Sequence, residues 1–179
     1  MPLCFIGIKT MQKSELQLLI DYNYWANARI LVAAGKAGPE AYTAPAPVSF
    51  GSLRGTLLHI LGAEIVWRLR IQGDAAPYHM VHEEEIPTLT LLGERWTSEE
   101  RAMRAFLTGL DGILSDSRAN QVIHYKNSRG TPYQTPLWQI LAHMVNHGTQ
   151  FRSEAAVILS QLGQSPGDLD LIYFIRTQG

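Results

Sequence analysis

The amino-acid sequence predicts an all-α protein folded as a four-helix bundle. Apolar side chains recur at helical spacing in four segments of about 20 residues or more, glycine and proline separate these segments, and one connection has the length of a crossover loop. A small hairpin between the third and fourth helices and a short C-terminal helix are also expected. We expect residues 1–12 to form an N-terminal tail and residues 13–179 to form one domain with a substantial core.

The first helix is expected over residues 13–36, where leucine, isoleucine and tyrosine side chains recur every three or four positions. Ser14 can act as its N-cap, and Gly38 followed by Pro39 ends it. Residues 40–51 contain two further prolines, so we expect them to form a loop.

The second helix is expected over residues 52–72, with Ser52 as its N-cap and Gly73 at the C′ position. It carries His59, whose helical neighbours have small side chains. These neighbours are Gly55, Thr56, Gly62 and Ala63. Such a face allows another helix to approach closely, or leaves space for a ligand.

Residues 74–90 form a long polar connection before the third helix, which is expected over residues 91–114. In this connection His79 and His82 precede three consecutive glutamates, at a spacing that can bind a metal ion within a loop. Histidine and glutamate side chains in a long polar connection are usually solvated, so we do not expect a metal site there.

The last part of the chain is expected to form a hairpin, the fourth helix and the short C-terminal helix. Residues 121–133 surround a four-residue turn, which predicts the hairpin. The fourth helix is expected over residues 136–162, opened by Thr135 as N-cap and by Pro136 in the first turn. Residues 168–175 carry the apolar side chains of the C-terminal helix.

The composition argues against several classes of function. The 15 Lys and Arg residues nearly balance the 16 Asp and Glu residues, and no basic tract contains interleaved aromatics, so we expect no nucleic-acid partner. No apolar run reaches the roughly 18 residues of a membrane helix, so we expect no membrane partner. A single cysteine, Cys4, excludes an internal disulfide and fits the reducing cytoplasm. Charged residues make up 17%, below the roughly 25% of an average domain, which favours extra burial in a homodimer.

Three histidines suggest a metal site between helices. His143 and His147 lie four residues apart on the fourth helix, so their side chains share one face about one turn apart. Imidazole is the commonest protein ligand for zinc, nickel and related metals. His59 on the second helix is the third candidate ligand.

Several short motifs resemble those of the DinB/YfiT-like proteins. They are residues 22–27 in the first helix, residues 57–67 in the second and residues 143–154 in the fourth. Each motif is short, but their order and spacing make the resemblance specific, and it covers about residues 11–176.

The resemblance implies a four-helix bundle, often dimeric, with a divalent metal ion held by three histidines. Characterised relatives include thiol-dependent transferases and isomerases that use bacillithiol or mycothiol. Carried over to this chain, His59 is the ligand from the second helix and His147 is the first ligand from the fourth. The remaining ligand falls at the position before Arg152, which is occupied by Phe151. A phenyl ring cannot ligate a metal.

Three arrangements therefore remain open. In the first, His143 and His147 join His59 as the ligands. In the second, His59 and His147 bind metal weakly, and water or a carboxylate completes the coordination. In the third, Phe151 fills the pocket and no metal is bound.

We expect a divalent-metal-dependent enzyme, a thiol S-transferase or hydrolase acting on a small molecule, with no catalytic side chain assigned. The expected cofactor is zinc or nickel, at partial occupancy or absent, and a low-molecular-weight thiol is the expected cosubstrate. Gly62 and Gly148 are expected to leave room beside the ion. The alternative is a non-catalytic homodimeric bundle that has lost its metal through Phe151.

The polar residues near these histidines also have two interpretations. Glu64 is expected either to accept an imidazole N–H or to form an ion pair with Arg29 or Arg152. Asn23 and Asn27 share one face of the first helix, where they can line a polar pocket or join a buried polar network.

Overall fold

The computed structural model describes residues 13–73, 81–109 and 119–178. Four long helices pack against one another in this part of the chain, so the predicted all-α four-helix bundle is confirmed. In chain order the helices are α1 (Lys13–Ala37), α2 (Pro39–Thr43), α3 (Leu53–Ile71), α4 (Leu89–Gly109), α5 (Leu137–Gln161) and α6 (Leu171–Thr177), and the strands are β1 (Val122–Lys126) and β2 (Pro132–Pro136).

Helix α5 packs along both α1 and α3, and α4 packs against α3 and α1. Two groups of buried apolar side chains hold these helices together. One includes Ile20 of α1 and Met144 of α5, and the other includes Leu61 of α3 and Phe151 of α5. Full burial of one such side chain contributes about 1.5–3 kcal/mol, so this packing fixes which faces of α3 and α5 meet.

Strands β1 and β2 form a two-stranded antiparallel sheet directly before α5. The prediction that Thr135 caps the fourth helix is wrong, because Thr135 pairs with Ile123 in this sheet. Pro136 occupies the N-cap position, with no side-chain cap. The Leu137 N–H instead donates to the Gln121 carbonyl at 2.9 Å, so a donor in the first turn is satisfied by the chain just before the sheet.

The loop predicted after the first helix is partly helical. Gly38 adopts a φ of 87°, which turns the chain, and Pro39 then lies in the first turn of α2. Tyr42 anchors this short helix, because only 2% of its surface is exposed. The feature of the sequence that indicates this short helix is the pair Gly38–Pro39, which ends α1 and begins α2.

The two predicted serine caps differ in outcome. Ser52 caps α3, because its Oγ accepts the Gly55 N–H at 2.9 Å. Ser14 is not an N-cap, because α1 already includes Lys13.

Several predictions fall on residues outside the described ranges. These are the tail over residues 1–12, the end of the third helix at residue 114, and His79. Within the described ranges, no helix is long and apolar enough to cross a bilayer.

Candidate metal centre

The rings of His59 and His147 face each other across the contact between α3 and α5. Their Nε2 atoms are 3.1 Å apart, and their ring centroids are 4.8 Å apart. Two nitrogens bound to one ion, each about 2.0–2.2 Å from it, would be separated by roughly 3–4 Å. The structure therefore brings together the two residues that the sequence predicted to converge, while their role as ligands stays a prediction.

Phe151 lies one helical turn beyond His147 on α5 and packs on both imidazoles. Its ring centroid is 4.5 Å from that of His59 and 4.7 Å from that of His147, and only 8% of the residue is exposed. A phenyl ring thus occupies the position where the resemblance expects a third histidine.

The residues present fit a metal site with two histidine ligands. They do not fit the site that the resemblance implies, with three histidine ligands on α3 and α5. Across residues 13–73, 81–109 and 119–178, no three histidine, cysteine, aspartate or glutamate side chains converge closely enough to hold a metal ion. The Nε2 atoms of His59 and His147 nevertheless lie at a distance that allows both to bind one ion. A third donor would have to come from outside the α5 face or from solvent.

His143 lies apart from this pair. Its ring centroid is 5.9 Å from that of His147, and its ring packs edge-to-face on Trp67 with centroids 5.2 Å apart. His143 is exposed, and the Trp67 ring that it contacts also packs on Tyr125 of β1. The structure therefore brings together two of the three predicted ligands and leaves the third one turn away.

Loss of contact with water lowers the pKa of all three imidazoles, including that of the more exposed His143. The pKa of His147 is lowered to about 4, chiefly by desolvation and in addition by the charges of His59 and His143. Desolvation also lowers the pKa of His59, opposed by the charge of Glu154, and the pKa of His143, assisted by the charge of Arg70. A neutral imidazole has a free lone pair, which is the form that binds metal.

The Nδ1 atom of His59 is buried and has no hydrogen-bond partner among the residues that the structure describes. A metal-binding histidine usually donates its second ring N–H to a carboxylate, a carbonyl or water. This orphaned nitrogen therefore leaves the tautomer of His59 free to change with whatever its Nε2 atom binds.

A small open cleft of about 390 Å³ adjoins His59. Phe50 forms one wall and stacks on the imidazole, with centroids 3.8 Å apart and planes inclined by 20°. The cleft is lined by Phe50, Gly55, Leu58, His59, Val81, His82, Glu83 and Glu84. No local pattern in the sequence marks Phe50 as part of the site, because the path of the loop between α2 and α3 decides its position.

A buried polar network lies behind the imidazoles. Glu64, only 1% exposed, accepts hydrogen bonds from Asn23 Nδ2 at 2.7 Å, from Asn27 Nδ2 at 2.9 Å and from Trp96 Nε1 at 2.8 Å. Arg152 Nη1 donates to the Oδ1 atoms of both asparagines at 2.7 Å. The network joins α1, α3, α4 and α5. It therefore holds α3 and α5 in the relative orientation that brings His59 and His147 together.

This network corrects the prediction for Glu64. The carboxylate meets Arg152 through the two asparagine side chains, rather than through a direct ion pair or an imidazole. Burial raises the pKa of Glu64, and the hydrogen bonds from Asn23, Asn27 and Trp96 and the charge of Arg152 oppose that shift. The prediction that the two asparagines join a buried polar network is confirmed.

The role expected for Gly148 is also corrected, whereas the role expected for Gly62 stays a prediction. A Cβ atom at Gly148 would lie 2.6 Å from Arg152 Nη1 and 3.0 Å from Asn23 Oδ1. Gly148 therefore makes room for the guanidinium group and not for an ion. A Cβ atom at Gly62 would lie 4.0 Å from the backbone nitrogen of Val81, so that glycine faces the connection after α3.

Comparison with known proteins identifies relatives over almost the whole chain. The family model described as "DinB family" matches residues 11–178. A curated relative, "Protein DinB" of Bacillus subtilis (strain 168), is 24% identical over 159 residues, which cover 88% of this chain and 92% of that protein.

Proposed function

The chain belongs to the DinB family, and from that premise we propose that it is a metal-dependent enzyme acting on a small molecule. In this proposal a divalent zinc or nickel ion binds His59 and His147, and the reaction is thiol S-transfer or hydrolysis. The single observation that carries the proposal is the 3.1 Å separation of the two Nε2 atoms.

The chain's own residues would prepare this site in three ways. Burial keeps His59 and His147 neutral, so their lone pairs are available near neutral pH. The rings of Phe50 and Phe151 screen the imidazoles from water. The cleft of about 390 Å³ beside His59 has room for part of a small molecule. When bound, a divalent ion supplies Lewis-acid chemistry, lowering the pKa of a thiol or water in contact with it.

The substrate and cosubstrate follow from the same proposal. A low-molecular-weight thiol is the proposed cosubstrate for S-transfer, and water takes its place in hydrolysis. The walls of the cleft combine apolar side chains, Leu58 and Val81, with the carboxylates of Glu83 and Glu84. No described side chain is assigned as a general acid or base.

A second candidate function is a non-catalytic bundle that has lost its metal. The observation that favours it is the packing of Phe151 on both imidazoles, which removes a donor position on α5. In that case the direct contact between the His59 and His147 nitrogens is a hydrogen bond within the core.

We also propose that the protein is a cytoplasmic homodimer. Its low charge content supports an additional buried surface, and α6 presents Ile172, Tyr173 and Ile175 at 52%, 38% and 40% exposure. Light scattering should then give twice the 20.0 kDa mass of the chain. A mass of one chain at micromolar concentration would contradict the dimer.

Equilibrium zinc binding by protein purified without an affinity tag tests the function. We expect the natural protein to bind zinc weakly, and His147→Ala to remove that binding. His124→Ala is the matched control, because His124 is an exposed histidine on β1 away from the pair. Absence of zinc and nickel binding by the natural protein would favour the non-catalytic bundle.

A further inference from the structure

The loop before α3 is closed on itself at its base. Pro45 pairs with Ser52 in an isolated β-bridge, and the Ala46 N–H donates to the Gly51 carbonyl at 2.8 Å. Gly51 adopts a φ of 71°, a left-handed conformation that glycine adopts at no steric cost. Residues 45–52 therefore form a loop with a defined conformation, which we call the 45–52 loop.

Two contacts outside the 45–52 loop fix where Phe50 lies. The first is with α3, because Gly55 has no side chain and a Cβ atom there would collide with the Phe50 carbonyl oxygen. The second is with α5, where the Glu154 carboxylate accepts the Ser49 N–H at 2.9 Å and the Ser49 hydroxyl at 2.6 Å. The loop is thus held on both helices that carry the facing histidines.

This placement sets the Phe50 ring flat against the imidazole of His59. Their centroids are 3.8 Å apart, and their planes are inclined by 20°. The Phe50 ring also meets Phe151 edge-on, with centroids 5.4 Å apart, and Phe151 in turn stands edge-on to the imidazole. An imidazole packed this closely by two rings cannot turn about its side-chain bonds unless one of those rings moves. The position of Phe50 therefore limits the orientations open to His59.

We propose that Glu154 is a positioning residue that acts on His59 through the 45–52 loop. By binding Ser49, the carboxylate keeps the phenyl ring of the loop stacked on the imidazole, and the stack keeps Nε2 directed at His147. The His59 Nδ1 atom has no hydrogen-bond partner among the described residues, so in that part of the chain ring contacts take the place of the hydrogen bond that usually orients a ligand imidazole. Any benefit to a bound ion rests on the proposed function, whereas the placement of the ring needs no ion.

Solution NMR of the protein without added metal measures the stack directly, because a ring lying flat on an imidazole moves the imidazole C–H signals upfield. Spectra are recorded at about pH 8, where imidazoles are neutral. Phe50→Leu gives the signal positions of His59 without the stack. We expect Glu154→Ala to move the His59 signals toward those positions. Glu154→Gln should keep the natural positions, because a glutamine amide can still pair with the N–H and the hydroxyl of Ser49. Glu94→Ala, at an exposed glutamate of α4, is the control.

Modification of the imidazoles by diethyl pyrocarbonate measures how often the stack opens, and peptide mass spectrometry separates the rate at each histidine. We expect Glu154→Ala to raise the rate at His59 by about two- to tenfold, which corresponds to the loss of one hydrogen bond. The rate at His124, an exposed histidine on β1, should stay unchanged, because the variant is expected to move the loop and not to unfold the protein. Ser49→Ala keeps the backbone bond to the carboxylate, so its increase should be smaller.

The outcomes separate this inference from the proposed function. If Glu154→Ala leaves both the NMR signals and the reaction rate of His59 unchanged, Glu154 does not position the imidazole and the inference is overturned. It is also overturned if Glu154→Gln behaves like Glu154→Ala, because the charge of the carboxylate and not its contact would then matter. Neither result bears on zinc binding. If the natural protein binds no zinc, the proposed function fails, and the NMR comparison still decides whether Glu154 positions His59.

Discussion

The ring of Phe151 stands edge-on to the ring of His59, with 4.5 Å between their centroids. Phe151 also contacts His147, so one apolar side chain closes the space beside both imidazoles. Because it follows His147 by four residues, it lies on the same face of α5, one turn along. Phe151 therefore occupies the place on α5 where the resemblance to the DinB/YfiT-like proteins expects a third histidine ligand.

Replacing Phe151 by histidine should restore that donor. We expect Phe151→His to raise zinc affinity by about tenfold or more, because a third imidazole helps to offset the dehydration of the ion. Isothermal titration calorimetry of the two proteins measures the difference. Phe151→Leu is the control, since it removes the ring without adding a donor. Equal zinc affinity in all three proteins would show that position 151 is not directed at the ion.

The protonation of His147 should make stability depend on pH. Its pKa in the folded protein is about 4, chiefly because of desolvation, whereas an unfolded chain gives about 6.5. Between these values the unfolded state binds a proton that the folded state does not, so stability falls as pH decreases through this window and is constant above it.

Urea denaturation at about pH 7 and about pH 4.5 measures this effect. The natural protein should lose more stability between the two conditions than His147→Ala does, whatever the absolute stability of the variant. His124→Ala should keep the pH dependence of the natural protein. An identical pH dependence in His147→Ala would contradict the depressed pKa.

The buried network predicts a large effect of Glu64. Glu64→Ala should lower the free energy of unfolding by about 3–5 kcal/mol, because it leaves the buried charge of Arg152 without its counter-charge. Glu94→Ala, an exposed glutamate on α4, is the control and should change it by less than about 0.5 kcal/mol. Chemical denaturation gives both values. A loss for Glu64→Ala as small as that of the control would show that Arg152 does not depend on this carboxylate.

Two glycine-to-alanine substitutions should have opposite effects. At Gly148 the new methyl group meets Arg152 and Asn23, so we expect a loss of about 1–3 kcal/mol. At Gly93, within α4, no atom of the described part of the chain lies within 4 Å of a new Cβ atom, so the better helix propensity of alanine should stabilise by up to about 1 kcal/mol. Thermal unfolding compares the two variants, and stabilisation by Gly148→Ala would contradict the packing described here.

The sequence predicted the long helices well, because their apolar periodicity extends over many turns. It also predicted the approach of His59 to His147, through the resemblance of their motifs to a known family. The short helix α2 was missed because Gly38 and Pro39 end one helix and begin another. The Thr135 cap was wrong because pairing in the sheet extends to Pro136, the residue directly before α5.

Other features of the site depend on contacts that no local pattern encodes. Gly148 was assigned to the wrong neighbour, because only the structure shows the guanidinium of Arg152 passing beside it. Phe50 and His82 reach the cleft through the paths of two connections. Histidines in a polar loop are usually solvated, so no pattern in the sequence places His82 in the same cleft as His59.

X-ray absorption spectroscopy at the zinc edge tests the central claim most directly, because it identifies the atoms bound to the ion. For zinc-loaded natural protein, we predict imidazole nitrogens at about 2.0–2.1 Å with the outer-shell scattering typical of histidine. His59→Ala and His147→Ala should each lose an imidazole contribution, and His124→Ala should not. A spectrum that shows no imidazole, or that is unchanged in His59→Ala and His147→Ala, would contradict a metal centre built on these two residues.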